Sequence, residues 1–291
     1  MAEMDLAAKP VLVALVLATL VMLEMLAPMF RFYDAVKPRL RHDAANILLG
    51  VLNAAIASVL FTGLVLSVTT WAVGHSFGLL NWLTLNPYLE LLIGLLLFDC
   101  WQYCWHRLNH AIPFLWRFHA VHHSDAAMDA SSALRFHSVE IIFSSALRLL
   151  VLPIIGLSVE QLLIYELIAF PIILIHHSNV AVPATLDRLL RVIIVTPHVH
   201  WVHHSHLQNE TDSNYASVLS IWDRVFASFC LRDDPQNIRF GLGDRFDQTR
   251  WDQFIGQLKQ PFNSALYEQR ESSLKTVSYT HLRAHETVLD L

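Results

Sequence analysis

Two stretches of this chain each place three histidines within five residues. Residues 119–124 read HAVHHS and residues 200–205 read HWVHHS. On a helix, positions i, i+3 and i+4 share a face. His119, His122 and His123 therefore form one imidazole-bearing face, and His200, His203 and His204 form another. His106 and His110, in HRLNH, add a third at i, i+4 spacing. Neutral imidazole is the commonest protein metal ligand. A structural zinc site needs about four ligands, and the three faces offer more than that, so two metal ions are expected. His137 in RFHSVE and the pair His176 and His177 are further ligand candidates that reach the same rim. The isolated His42, His75 and His206 are read as structural, and His198, two residues before His200, falls off the shared face. Of the three cysteines, Cys100, Cys104 and Cys230, none lies inside a cluster and no C-x-x-C occurs. That argues against iron–sulfur and thiolate-zinc chemistry. A b-type haem would need paired axial histidines within apolar spans, not clusters at their ends.

The elements that must position these histidines are apolar helices. Only 15% of the residues are charged, against roughly 25% in soluble domains, and the mean hydropathy is +0.42. The fold class expected is all-α: an integral membrane helical bundle with a histidine-rich di-metal helical cap. A hydrocarbon layer needs about 20 apolar residues of helix. Residues 10–30, 45–73, 86–105, 139–157 and 160–177 supply five candidate spans, the last two joined by the turn Gly156-Leu157-Ser158. Residues Glu3 and Asp5 replace a basic n-region and the first apolar run is long, so it reads as a retained helix. After Asn179 the hydropathy falls, and 183–262 reads like a polar domain. The organisation expected is 1–84 for N-terminal transmembrane helices, 85–262 for the catalytic domain and 263–291 for a tail. From Val277 the tail reads VSYTHLRAHETVLDL, which resembles translated sequencing-adapter sequence, so His281 and His285 are set aside.

Orientation follows from lysine and arginine in short loops. Arg31, Lys37, Arg39 and Arg41 follow the first span, which makes that loop cytoplasmic, while 74–86 holds neither residue type. Threading the spans then puts every histidine cluster on the cytoplasmic side, as in a bacterial inner membrane. The net charge of −5 offers no basic face for nucleic acid. Arg148 and Glu166 lie about 15 and 12 Å from the turn near Ser158 at 1.5 Å per residue. Charges at such depth are usually paired, and these two are expected to pair across the helical hairpin.

The order DCWQYCWHRLNH, WRFHAVHHSDAAMDASSALRFHSVE, HHSNVAVP, TPHVHWVHHS and ETDSNYASVLSIWDRVFAS, over about residues 85–232, resembles the fatty acid hydroxylase / sterol desaturase superfamily. The resemblance implies an integral membrane non-haem di-iron oxygenase. It implies two iron ions (zinc as a substitute), O2 as co-substrate, and hydroxylation or desaturation of a lipid-type substrate such as a sterol or fatty acyl chain. It assigns the catalytic ligand positions to His106, His110, His119, His122, His123, His200, His203 and His204. It adds His137, with Ser138 where proline is usual, and His177 with His176 as alternate. Ala216 and Ala227-Ser228 also depart from the family pattern. No G-x-G-x-x-G or ferredoxin-type cysteine spacing is present, so electrons are expected from a separate reductase or carrier. Groups that accept the second imidazole N–H should orient the ligands. Glu140 and Asp223 are the foremost candidates, beside Asp99, Asp125, Asp212 and Asn214. Two rivals are a histidine-rich membrane metal transporter and a zinc-dependent membrane hydrolase. A transporter places its ligands near the midplane, and the hydrolase motif H-E-x-x-H is absent.

Overall fold

A computed structural model describes residues 8–243 and 251–267. The tail from Val277 lies outside the described residues. The described residues form helices and three isolated bridges, with no named strand among them. The all-α membrane bundle expected from composition is the architecture found. Helix α1 (Ala8–Leu26) is followed by the long α2 (Val36–Gly74), one turn of α3 (Leu79–Trp82), α4 (Pro87–Ala111) and α5 (Pro113–His123). A 3-10 turn, Ala130–Leu134, leads to the antiparallel pair α6 (Ser138–Ile155) and α7 (Val159–His177). Short helices complete the cap: α8 (Ala184–Leu190), α9 (Pro197–His203), α10 (Gln208–Thr211), α11 (Ile221–Val225) and α12 (Phe254–Lys259).

Local chemistry sets the helix ends. Asn86 accepts from the backbone of Tyr88 and Leu89 and starts α4, with Pro87 in its first turn. Ser158 and Gln161 form a reciprocal capping box at the start of α7. Gly156 ends α6 at φ +86, and Gly78 at φ +103 lies so close that a Cβ there would sit 2.2 Å from the Pro153 carbonyl oxygen. Only glycine serves at such a contact. The α6–α7 turn is thereby closed against the α2–α3 corner.

Four segments are long and apolar enough to cross a membrane: Lys9–Leu26, Val36–Trp82, Ser138–Ile155 and Val159–His177. The expected third span, α4, is not among them, although it runs the same course. Its start meets the α6–α7 turn, where Gln161 Nε2 donates to Glu90 Oε1 at 2.9 Å, and its end carries His106 and His110. Asp99, within it, faces protein: it is buried and accepts from Tyr165 Oη, Trp222 Nε1 and Leu219 N. At 1.5 Å per residue, α2 is about 58 Å long, well beyond a hydrocarbon layer of about 30 Å. Its first turns, with His42, Asp43 and Asn46 buried, belong to the cap. The membrane-side core gathers Phe98, Leu152, Leu157, Leu162 and Tyr165.

Arg148 Nη1 donates to Glu166 Oε1 at 2.9 Å, the expected pair across the hairpin. Lys9 joins it, with Nζ 2.7 Å from Glu166 Oε2. In the cap, Arg135 is fully buried and donates to Val121 O, Ser124 Oγ and Asp252 Oδ1. These bonds pin the loop that follows HAVHHS.

Candidate metal centre

The histidine faces converge. His106, His110, His119, His123 and His203 form one group, and His122, His177, His200 and His204 form a second. Within each group, one nitrogen per ring lies within 4.8 Å of all the others. The first group joins the end of α4, the length of α5 and the end of α9. The second joins α5, the end of α7 and α9. The i, i+3, i+4 spacing therefore splits each H-x-x-H-H stretch between the two groups. His119 and His123 enter the first while His122 enters the second; His203 enters the first while His200 and His204 enter the second.

Closest approaches are between Nε2 atoms. His106 lies 3.0 Å from His119 and 3.0 Å from His203. His177 lies 3.1 Å from His122 and 3.0 Å from His200, and His200 lies 3.1 Å from His204. The other ring nitrogen decides what these contacts are. His106 Nδ1 donates to Tyr215 O at 2.8 Å, and His203 Nδ1 donates to Ser213 O. His119 Nδ1 donates to Glu140 Oε1 at 2.9 Å, and His177 Nδ1 donates to Ile173 O at 2.7 Å. A carbonyl or carboxylate oxygen only accepts, so the proton sits on Nδ1 and Nε2 presents a bare lone pair. His106, His119 and His203 thus aim three lone pairs at one point, which cannot be hydrogen bonding among themselves. A cation satisfies them. Two nitrogens bound to one ion at about 2.0–2.1 Å lie roughly 2.9–3.4 Å apart over bond angles from a right angle to a tetrahedral one, a range that includes the spacing found. The donor set fits two metal ions, one per group.

Burial disfavours a charged ring. It pushes His122, His123, His200 and His204 well below the ordinary histidine value, and the neighbouring imidazoles push the same way. Burial takes His203 down to about 3. The groups differ in their outer support. In the first, His106, His110, His119 and His203 all have an oxygen at Nδ1, that of His110 being Asp212 Oδ1 at 3.2 Å. In the second, only His177 does; Nδ1 of His122, His200 and His204 has no partner among the described residues.

Other expected residues fall elsewhere. His137, among the ligand candidates, lies in neither group. Its Nδ1 accepts from Val139 N as the cap of α6, and its Nε2 donates to Leu258 O at 3.2 Å, so both nitrogens are engaged. His176 also stays outside both groups, its ring tilted by 42° against that of His200 with centroids 4.1 Å apart, while the adjacent His177 enters the second. Glu140 touches a ring directly. Asp223 acts one step back: it accepts from Tyr215 N at 2.7 Å, Ala216 N at 3.1 Å and Ser228 Oγ at 2.8 Å. It thereby fixes the loop whose carbonyls hold His106 and His203. Those carbonyls carry no signal in the sequence. Asn214, at φ +51, braces the same loop through Val199 O and Cys230 O. A third set, His42, Asp43 and Asp129, also has ligand-like spacing. Here both ring nitrogens face carboxylates, Nε2 at 2.9 Å from Asp125 and Nδ1 at 3.3 Å from Asp43. This is a clamped imidazole, in keeping with its structural reading.

Residues 91–228, which include every histidine of both groups, match the family model for fatty acid hydroxylase. The chain is 28% identical over 225 residues to ornithine lipid hydroxylase OlsE of Rhizobium tropici, covering 76% of this chain and 66% of that protein. It is 33% identical over 144 residues to alkylglycerol monooxygenase of Danio rerio, covering 50% of this chain and 31% of that one. Human cholesterol 25-hydroxylase is 29% identical over 149 residues, 50% of this chain and 53% of that protein. The chain thus spans less than two thirds of the length of these relatives. No solved structure matches it.

Proposed function

Because this chain belongs to the fatty acid hydroxylase / sterol desaturase superfamily, we propose that it is a membrane-bound di-iron oxygenase that hydroxylates or desaturates a lipid. The observation that carries the reading is the pair of buried histidine groups whose bare Nε2 atoms converge. His106, His110, His119, His123 and His203 would hold one iron, and His122, His177, His200 and His204 the other. When bound, the irons supply the reductive activation of O2 that an unactivated C–H bond requires. Hydroxylation consumes O2, two electrons and two protons, and returns an alcohol and water. The electrons come from a separate reductase or carrier.

The chain's own contribution is orientation, exclusion of water and access. Glu140, Asp212 and the carbonyls of Ser213, Tyr215 and Ile173 hold protons on Nδ1 and keep Nε2 free. Burial of the rings keeps bulk water from their nitrogens. The four apolar helices let a lipid chain stay in the bilayer while one carbon reaches the cap. The basic loop with Arg31, Lys37 and Arg41, all exposed, supports a cytoplasmic centre. The relatives act on an ornithine lipid, an alkylglycerol and cholesterol by name, and a lipid with a long alkyl chain is the substrate class proposed here. The test is incubation of membranes holding the chain with reductant, a lipid panel and isotopically heavy O2. Label in a lipid hydroxyl, or an O2-dependent new double bond, supports the reading. Turnover of neither kind with every reductant and lipid class refutes it.

A further inference from the structure

Three charged side chains meet inside the apolar bundle, and the metal centre does not use them. Arg148 of α6 and Lys9 of α1 each give one hydrogen bond to Glu166 of α7, at 2.9 and 2.7 Å. Both carboxylate oxygens are therefore taken. Two cations against one anion leave the trio with one net positive charge. Neither cation has another hydrogen-bond partner among the described residues, and Arg148 Nε is buried with none. What flanks them is aromatic: Lys9 lies over the Phe170 ring at 4.6 Å and Arg148 over Phe98 at 5.5 Å. A net charge in an apolar layer is costly unless an opposite charge meets it. Helix glue alone needs one cation per carboxylate, so the second is surplus. Both cations are also reachable, with side chains 34% and 24% exposed against 11% for Glu166.

We propose that Lys9 and Arg148 form an anchor for the anionic end of an amphiphile, a carboxylate or a phosphate, whose alkyl chain stays in the bilayer beside the bundle. Glu166 holds the two cations apart and together. The anchor does not rest on the oxygenase reading.

The test is binding, which needs no turnover. The purified full-length chain in neutral detergent is titrated with a fluorescent long-chain fatty acid, its methyl ester and a phosphatidic acid analogue of the same chain. The acid should bind about tenfold or more tightly than the ester, and Lys9→Gln or Arg148→Gln should reduce that preference by about as much. Glu166→Gln should move the other way and tighten acid binding, because it leaves two uncompensated cations; a purely structural ion trio predicts no such gain. A phosphatidic acid analogue that outcompetes the fatty acid assigns a phospholipid, and the reverse assigns a free acid. Lys9 is one-third exposed, so Lys9→Gln stays informative even where Arg148→Gln fails to fold. Equal affinity for acid and ester in the parent, or weaker acid binding in a folded Glu166→Gln, overturns the anchor. Acid preference in a chain that oxidises no lipid would remove the oxygenase reading and leave the anchor standing.

Discussion

Replacing Glu140 should loosen one metal ion and spare the other. Glu140 Oε1 accepts the Nδ1 proton of His119 at 2.9 Å, and His119 Nε2 lies 3.0 Å from His106 Nε2 in the first group. Glu140→Leu keeps the volume but removes the acceptor. The imidazole then loses its orientation and its reason to keep the proton on Nδ1. Losing such an outer partner costs about 10–100-fold in metal affinity, or about 1.4–2.8 kcal/mol at 1.4 kcal/mol per tenfold. Glu140→Gln should recover part of the loss, since its amide oxygen still accepts. The assay is metal retained against a graded chelator, followed by elemental analysis. One ion per chain should leave at lower chelator concentration in Glu140→Leu, with the second group's ion held as in the parent. Parent-like retention of both ions by a folded Glu140→Leu would refute the orienting role. Equal loss of both would refute the assignment of His119 to one group.

Asp223→Asn swaps one acceptor oxygen for a donor opposite three donors. It should cost about 1–3 kcal/mol and also lower metal retention, since Tyr215 O and Ser213 O shift; denaturant midpoints with chelator titration check both. His137→Ala should cost about 1 kcal/mol as a lost helix cap while metal content stays at the parent level; His137→Asn, a good cap, should restore the midpoint. Removing metal should make stability fall with acid. The folded rings of His122, His123, His200, His203 and His204 titrate below the ordinary value, His203 at about 3. The unfolded chain takes up protons near 6.5, so stability is full above that pH and is lost as pH falls toward 3. A melting temperature of the metal-stripped chain that is flat from pH 7 to 5 would contradict the neutral, buried cage.

Periodicity carried much of this architecture because it is local. The i, i+3, i+4 faces of HAVHHS and HWVHHS, the hairpin at Gly156 and the Arg148–Glu166 pair all follow from residues close in sequence or from helix geometry. Allocation to two groups did not, because it depends on how α4, α5, α7 and α9 cross. Backbone acceptors such as Tyr215 O and Ser213 O were invisible, since any residue supplies a carbonyl. His137 is a ligand candidate by its place on the rim, and the fold sets its nitrogens against Val139 N and Leu258 O, contacts that sequence spacing does not reveal. Lys9 was missed because its partner, Glu166, lies far along the chain. In α4 the buried Asp99 and the histidine-bearing end interrupt the apolar run, so the helix expected as a span over 86–105 is not among the four long apolar helices.

The most direct measurement is the metal content of the detergent-purified chain beside His203→Ala and His122→Ala, one substitution in each group. Two ions per chain in the parent, with about one fewer in each variant, is the result the paired histidine groups predict. A single ion or none, unchanged by either substitution, would contradict the two-metal centre.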